Sequence, residues 1–107
     1  MQPLINDATT ALLRAIRSAF ENFGGFALEE IRSRSWASIT FSGARHELAF
    51  RLEGEGAELA AERFLARLNA AEFRLRGHLL ADIAVLQEER RRDWARIRLE
   101  ALTVEDG

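Results

Sequence analysis

Apolar residues near the start of the chain recur every three or four positions, as they do on one face of a helix. Gly24 and Gly25 follow them and are typical of a helix end, because glycine readily adopts the left-handed conformation found there. The pattern therefore predicts an amphipathic first helix, whose buried stripe consists of Leu12, Ile16, Ala19, Phe20 and Phe23.

After Leu28 the apolar period changes from helical to alternating, which is typical of half-buried strands. A two-residue turn at Gly43 and Ala44 would pair Ile39 with Leu48 and place all the apolar partners on one face. The sequence thus predicts a first β-hairpin with this register. One of its strands would bury Ala37, Ile39 and Phe41, and the other would bury His46, Leu48, Phe50 and Leu52.

The second half of the chain shows the same two periods. A helical stripe follows Gly56, and a strand is predicted over 94–104, where apolar and charged residues alternate. The segment from His78 to Glu89 fits either a helix or a strand by its own pattern. The inward residues of the second helix are Ala57, Ala60, Ala61, Phe64, Leu65 and Leu68, and those of the last strand are Ile97, Leu99 and Ala101.

A faint internal repeat decides this ambiguous segment. Residues 26–53 match residues 73–100 at an offset of 47, with seven identical pairs in 28 where about three are expected from the composition. Segment 78–89 aligns with the first strand of the earlier hairpin, so we predict a strand there, with a turn around Arg90 and Arg91. The identical pairs are Phe26/Phe73, Leu28/Leu75, Ala37/Ala84, Arg45/Arg92, Arg51/Arg98, Leu52/Leu99 and Glu53/Glu100.

The predicted element order is αββαββ, an α+β fold made of a duplicated αββ unit. A hairpin buries one face only when another layer covers it, so both helices should pack on one face of a four-stranded, antiparallel-rich sheet. This order is the one that a circular permutation of a ferredoxin-like fold would give. We expect a single domain over 1–107, with pseudo-symmetric halves at about 7–53 and 56–104.

Length and composition are those of a small folded domain. The chain has 107 residues, 48% of them hydrophobic, and only one proline. A domain with so small a core would gain stability by burying a further apolar face, which favours a homodimer. The start of the chain lacks a signal-peptide pattern, and no stretch approaches the roughly 20 apolar residues of a membrane span, so we expect a cytoplasmic protein with no membrane association.

The charge pattern makes a nucleic-acid partner an unfavoured hypothesis. All 15 basic residues are arginines, which is typical of the codon usage of GC-rich genomes, and the net charge is −2. A dedicated duplex-binding protein usually carries a strong basic excess. A protein partner is therefore the preferred interpretation.

Few residues could carry chemistry. The chain has no cysteine, which excludes disulfides and thiolate sites. His46, His78 and Asp82 are candidates for a small-ligand site, regulatory or enzymatic, and Asp82 would share the inner face of its strand. On a strand His78 and Asp82 would stand about 13 Å apart, so we predict no metal site. We also predict no catalytic residue and no cofactor.

The sheet face away from the helices is the predicted interaction surface. Tryptophan and arginine are enriched at interface hot spots, and an apolar patch on a face otherwise open to water indicates association. We therefore predict a non-catalytic interaction module that homodimerises or binds a protein partner. A small-ligand site and weak single-stranded RNA binding are the alternatives. The predicted interface residues are Trp36, Arg51, Ile83, Val85, Trp94, Arg96 and Arg98.

Overall fold

The helices and strands follow the predicted order. The computed structural model describes residues 7–69 and 73–105, and within them it contains two helices and four strands. The elements are α1 (Asp7–Ala19), β1 (Phe26–Ala37), β2 (Ser42–Glu53), α2 (Ala57–Ala66), β3 (His78–Arg91) and β4 (Trp94–Glu105). The α+β prediction is confirmed.

The four strands form one antiparallel sheet in the order β1-β2-β4-β3. Residues of α1, α2 and the two central strands share one buried cluster, so both helices cover the same face of the sheet. We call this the helix face and the other the open face. The fully buried members of the cluster include Leu12 and Ile16 of α1, Ala57 and Ala61 of α2, Leu48, Phe50 and Leu52 of β2, and Ile97 and Leu99 of β4.

Phenylalanine rings join the helices to the sheet. Phe20, just after α1, lies with its ring centroid 5.4 Å from that of Phe50 and 4.9 Å from that of Phe64. Phe26, at the start of β1, lies 5.2 Å from Phe50. Such aromatic pairs add stability beyond the area they bury. The cluster therefore fixes the end of the sheet where β1 begins and β2 ends.

The turn of the first hairpin differs from the prediction. It lies at Ser38–Phe41, where the Ser38 N–H donates to the Phe41 carbonyl oxygen at 2.7 Å and the Phe41 N–H donates to Ser38 Oγ at 3.0 Å. Leu48 consequently pairs with Ile31, and not with Ile39. Ile39, predicted to be buried, has an exposed fraction of 105%.

A β-bulge explains why the pattern of β1 is hard to read. The register of β1 against β2 shifts between Leu28 and Glu30, which breaks the strict alternation of apolar and polar positions. The stretch from Ala37 to Phe41 alternates more regularly, which is why the sequence pattern predicts the strand there. In the structure the apolar partners of β2 come from the less regular segment before it.

The second hairpin confirms the strand over 78–89 but changes its faces. The register of β3 against β4 shifts between positions 80 and 82, and this bulge reverses the alternation until a second shift between Val85 and Gln87. Ile83 and Val85 were predicted for the open face. They lie opposite Ala101 and Leu99, which are buried on the helix face. These two residues therefore do not belong to an open-face surface.

The two hairpins are not offset by the 47 positions of the sequence repeat. Their turns follow Ala37 and Arg91, which are 54 positions apart, and precede Ser42 and Trp94, which are 52 positions apart. The segments that match in sequence thus occupy shifted places in the two hairpins. The duplication itself stays a prediction.

Candidate interaction surfaces

The centre of the open face is covered by ion pairs that link β1, β2 and β4. Glu29 Oε1 lies 3.0 Å from Arg96 Nε, and its other carboxylate oxygen lies 3.3 Å from Arg51 Nη1. Glu30 Oε1 lies 3.0 Å from Arg98 Nη2. We call this set the charged grid; it comprises Glu29, Glu30, Arg32, Glu47, Arg51, Arg96 and Arg98.

The bulge in β1 makes this grid possible. In a regular strand Glu29 and Glu30 would project to opposite faces, whereas the extra residue of a bulge lets both reach arginines on the open face. Ala49 lies between Glu30 and Arg98 in the register and is only 3% exposed. Its small side chain leaves room for the ion pair that crosses above it.

The arginines predicted for the interface are therefore already paired. A hydrogen bond from Arg98 and the charge of Arg32 lower the pKa of Glu30, and contacts with Glu53 and Glu29 raise the pKa of Arg51. Solvent screens exposed ion pairs of this kind, so each contributes little to stability. Their larger effect is to neutralise positive charge across the middle of the open face.

The two tryptophans of the predicted interface lie at opposite ends of the open face. Trp36 is opposite Gly43 and through it Val104, whereas Trp94 is opposite Glu53. Val104 and Trp94 are ten positions apart in β4, which corresponds to about 33 Å at roughly 3.3 Å per residue. Trp94 also lies beneath the Arg96 guanidinium, 5.4 Å from the ring centroid. The two rings therefore cannot belong to one compact patch.

One end of the sheet is apolar and exposed. Trp36, Val104 and Leu79 lie in one row across β1, β4 and β3. The neighbouring β1–β2 turn exposes Ile39 completely and 58% of Phe41, and Leu79 is 55% exposed. We call this end the apolar tip; it comprises Trp36, Ile39, Phe41, Leu79, Leu102 and Val104.

Trp36 owes its position to a glycine. A Cβ added at Gly43 would meet the Trp36 ring at 3.0 Å and would collide with the carbonyl oxygen of Thr103. A side chain at this point would therefore push the ring off the sheet. A cavity of about 280 Å³ lies beside the ring, between Arg34, Arg45 and Leu102. Trp36 Nε1 is buried and has no hydrogen-bond partner among the described residues.

His46, a predicted ligand-site residue, is instead part of a buried hydrogen-bond chain. It is completely buried on the helix face, with Nδ1 2.6 Å from Ser33 Oγ and Nε2 2.9 Å from Thr103 Oγ1. Ser33 Oγ is in turn 2.7 Å from Thr9 Oγ1 of α1. The chain connects the first helix to three strands of the sheet and leaves neither ring nitrogen available to a ligand.

The direction of this chain fixes the tautomer of His46. The Thr103 hydroxyl donates to the Ala44 carbonyl oxygen at 3.3 Å, so His46 Nε2–H donates to Thr103. Nδ1 then accepts from Ser33. Burial lowers the pKa of His46, and the nearby His78 adds a smaller electrostatic effect in the same direction. His46 is therefore held neutral as a structural residue.

The other two predicted ligand-site residues do not join His46 in a site. Asp82 was predicted to face inward, but it lies opposite Leu102 on the open face, where its carboxylate accepts from the Ile83 N–H at 3.0 Å. His78 is half-buried at the start of β3, near enough to His46 to influence its pKa, and its Nδ1 has no partner among the described residues. The bulge between positions 80 and 82 accounts for the place of Asp82 on the open face.

A groove between the two helices was not predicted from the sequence. It has a volume of about 860 Å³ and lies above the phenylalanine cluster, with Leu59 49% exposed on its α2 side. Its apolar lining was indistinguishable from core stripes in the sequence. The sequence signal that could have indicated the groove is a set of three arginines spaced four and seven positions apart, all of which lie on its α2 side. We call it the inter-helix groove; it is lined by Ala15, Ala19, Phe20, Phe23, Leu59, Ala60, Phe64 and Phe73, and its rim carries Glu21, Arg63, Arg67 and Arg74.

The fold is similar to that of a chain in the virion of a native gene transfer agent particle. The two structures superpose with a TM-score of 0.64 at 17% sequence identity, over 94% of this chain and 98% of the other. No protein-family model matches the sequence, and no curated protein matches it. At this identity the likeness concerns the fold.

Among residues 7–69 and 73–105, no three His, Cys, Asp or Glu residues are grouped so that they could hold a metal ion. Neither of the helices described there is long and apolar enough to cross a membrane. The candidate functional surfaces are the apolar tip and the inter-helix groove.

Proposed function

We propose that this protein is a non-catalytic structural subunit that assembles with further copies of itself through the apolar tip. The fully exposed Ile39 and the largely exposed Phe41, which lie in the same turn, carry this proposal. A contiguous patch of exposed large apolar side chains is unfavourable in water and usually marks an association site. Burying it would add apolar area that a small domain lacks in its own core.

The fold comparison supports the same class of function. A chain with this fold, aligned over almost its whole length, belongs to the virion of a gene transfer agent particle. A virion is built from many copies of protein subunits, so the fold is compatible with a role in assembly. The rest of the open face, covered by the charged grid, is less suited to close apolar contact than the tip.

The test replaces the exposed residues of the turn. The double variant Ile39→Asp, Phe41→Asp should fold normally, because both side chains are exposed, and should associate at least roughly 100-fold more weakly than the wild type. The physical reason is that two carboxylates would have to be buried in an apolar contact. Multi-angle light scattering over a range of protein concentrations measures the effect.

Trp94→Glu provides the matched control. It introduces a charge at the other end of the open face, about 33 Å from the tip, and should leave the molar mass unchanged. A double variant that assembles like the wild type would exclude the tip as the contact. A loss of assembly in Trp94→Glu alone would place the contact at the opposite end.

A further inference from the structure

Two rows of side chains cross the open face at the end that carries the apolar tip. Each row takes one residue from every strand, in the order β1, β2, β4 and β3, because directly paired residues lie side by side on the same face of a sheet. The row nearer the turn, the apolar row, comprises Trp36, Gly43, Val104 and Leu79. The next row, the charged row, comprises Arg34, Arg45, Leu102 and Asp82.

The charges of the charged row are not balanced within one molecule. Arg34 and Arg45 lie directly opposite each other, and like charges in such a pair repel. Within 7–69 and 73–105, Arg34 takes part in no ion pair, and Arg45 has only Glu100, at 3.6 Å. Asp82 is exposed and pairs with no arginine in this part of the chain. The arginines of the charged grid, by contrast, each lie close to a glutamate.

The opposite charges of this row cannot meet inside one chain. Arg34 and Asp82 stand on the two edge strands, three strand spacings apart, which corresponds to about 14 Å. A second copy can bring them together, because a row that is basic at one end and acidic at the other is complementary to its own reverse. The bulge between positions 80 and 82 places Asp82 in this row and so creates the complementarity.

The distribution of charge also selects the orientation of the second copy. Packing two open faces about a twofold axis parallel to the strands places β1 of one copy over β3 of the other and keeps the rows at the same level. Arg34 of each copy then faces Asp82 of the other, and in the apolar row Trp36 faces Leu79. A twofold axis along the charged row would instead place each arginine over its own counterpart, which is unfavourable.

We propose that two copies of this chain pack face to face at the apolar tip, about a twofold axis parallel to the strands, with Arg34 of each copy paired to Asp82 of the other. This proposal rests on the proposed function and names the surface of the second copy that the tip contacts. The contact is self-complementary, so it closes as a dimer. It is confined to the tip end of the open face, because the charged grid beyond it carries its own ion pairs.

The experiment reverses one charge at a time. The variants Arg34→Asp and Asp82→Arg replace exposed side chains, so the fold should be retained. Each should associate at least about tenfold more weakly than the wild type, because like charges then face each other at both symmetric contacts. Arg91→Asp, which replaces an exposed arginine at the far end of β3, is the matched control and should associate like the wild type. Circular dichroism and thermal unfolding verify folding, and sedimentation velocity measures association.

An equimolar mixture of the two variants tests the pairing itself. In a mixed dimer the Arg34→Asp chain meets the Asp82→Arg chain, and opposite charges face each other again at both contacts. The mixture should therefore recover most of the lost affinity, although each variant alone associates weakly. A single chain that carries both substitutions, Arg34→Asp and Asp82→Arg, should recover it in the same way. Neither result is expected if the two residues lie far apart in the assembly.

The outcomes separate this arrangement from the proposed function. If both single variants associate like the wild type while Ile39→Asp, Phe41→Asp does not, the face-to-face arrangement is overturned and the proposed function stands. If both single variants associate weakly and their mixture does too, the arrangement is again overturned. Wild-type protein that remains monomeric at high concentration would overturn both proposals.

Discussion

At the scale of single residues, His46 shows how a polar group is accommodated in a small core. Its two ring nitrogens are both hydrogen-bonded, to Ser33 and Thr103, and the direction of the bonds requires the neutral ring. Buried polar groups are tolerated when their hydrogen bonds are complete. Protonation would place a charge in the interior and would force the Ser33 hydroxyl to reverse.

This arrangement predicts a pH-dependent stability. The pKa of His46 is lower in the folded protein than in the unfolded chain, so the unfolded chain binds more protons at acidic pH. The free energy of unfolding should therefore fall as the pH drops below about 6.5, the ordinary value for histidine. Above that pH the contribution is fully present. Urea denaturation at a series of pH values measures the slope.

His46→Gln and His78→Gln distinguish the two histidines. The first variant should lose this part of the pH dependence, whatever its stability at neutral pH, because the buried titrating group is gone. The second should keep most of it, since His78 is only the smaller influence on His46. A wild-type stability that is constant between about pH 7 and pH 5 would show that His46 titrates normally in the folded protein.

At the scale of elements, the junction between α1 and β1 restricts which residue can occupy each of its positions. Gly24 and Gly25 both follow α1, and both were predicted simply to end it. In the structure only Gly25 lies against another strand, where its carbonyl oxygen accepts from the Glu53 N–H at 3.0 Å. A Cβ on Gly25 would collide with the Glu53 carbonyl oxygen, whereas nothing lies within 4 Å of one on Gly24.

The adjacent glycines therefore form a matched pair of substitutions. Gly25→Ala should lower the free energy of unfolding by roughly 1–3 kcal/mol, because the start of β1 must move away from the end of β2. Gly24→Ala should change it by less than about 0.5 kcal/mol. Chemical denaturation of both variants measures the difference. Equal effects would mean that the close contact between these strand ends does not form.

At the scale of the whole molecule, the distribution of charge bears on the RNA-binding alternative. The net charge is −2, and the open-face arginines of the charged grid are each close to a glutamate. Binding of single strands depends on unpaired positive charge along the backbone path together with aromatic stacking. The two tryptophans, about 33 Å apart, offer no continuous stacking surface.

We accordingly expect no binding of a fluorescent single-stranded RNA oligonucleotide at physiological salt, as measured by fluorescence anisotropy. The double variant Glu29→Gln, Glu30→Gln should bind weakly, in a salt-dependent manner, because it leaves Arg51, Arg96 and Arg98 with fewer partners. Salt-dependent binding by the wild type would show that the grid opens in solution and would revive the alternative.

The sequence by itself determined the order of the elements and most of the core. Periodicity located both helices, the repeat identified β3 as a strand, and Phe20, Phe50, Phe64, Ile97 and Leu99 are buried as predicted. These features depend on local spacing, which a single chain displays directly. The same alternation also predicted a strand in the segment that forms the β1–β2 turn, because the bulge in β1 hid the true pairing of β2.

Only the tertiary structure decided which residues share a surface. The bulge in β1 lets both Glu29 and Glu30 reach the open face, and the first bulge in β3 puts Asp82, Ile83 and Val85 on the faces opposite to those predicted, since one extra residue reverses the alternation that follows it. The charged grid, the apolar tip and the inter-helix groove each combine residues from separate elements. Their distances depend on strand register and helix packing, which a period of apolar residues does not specify.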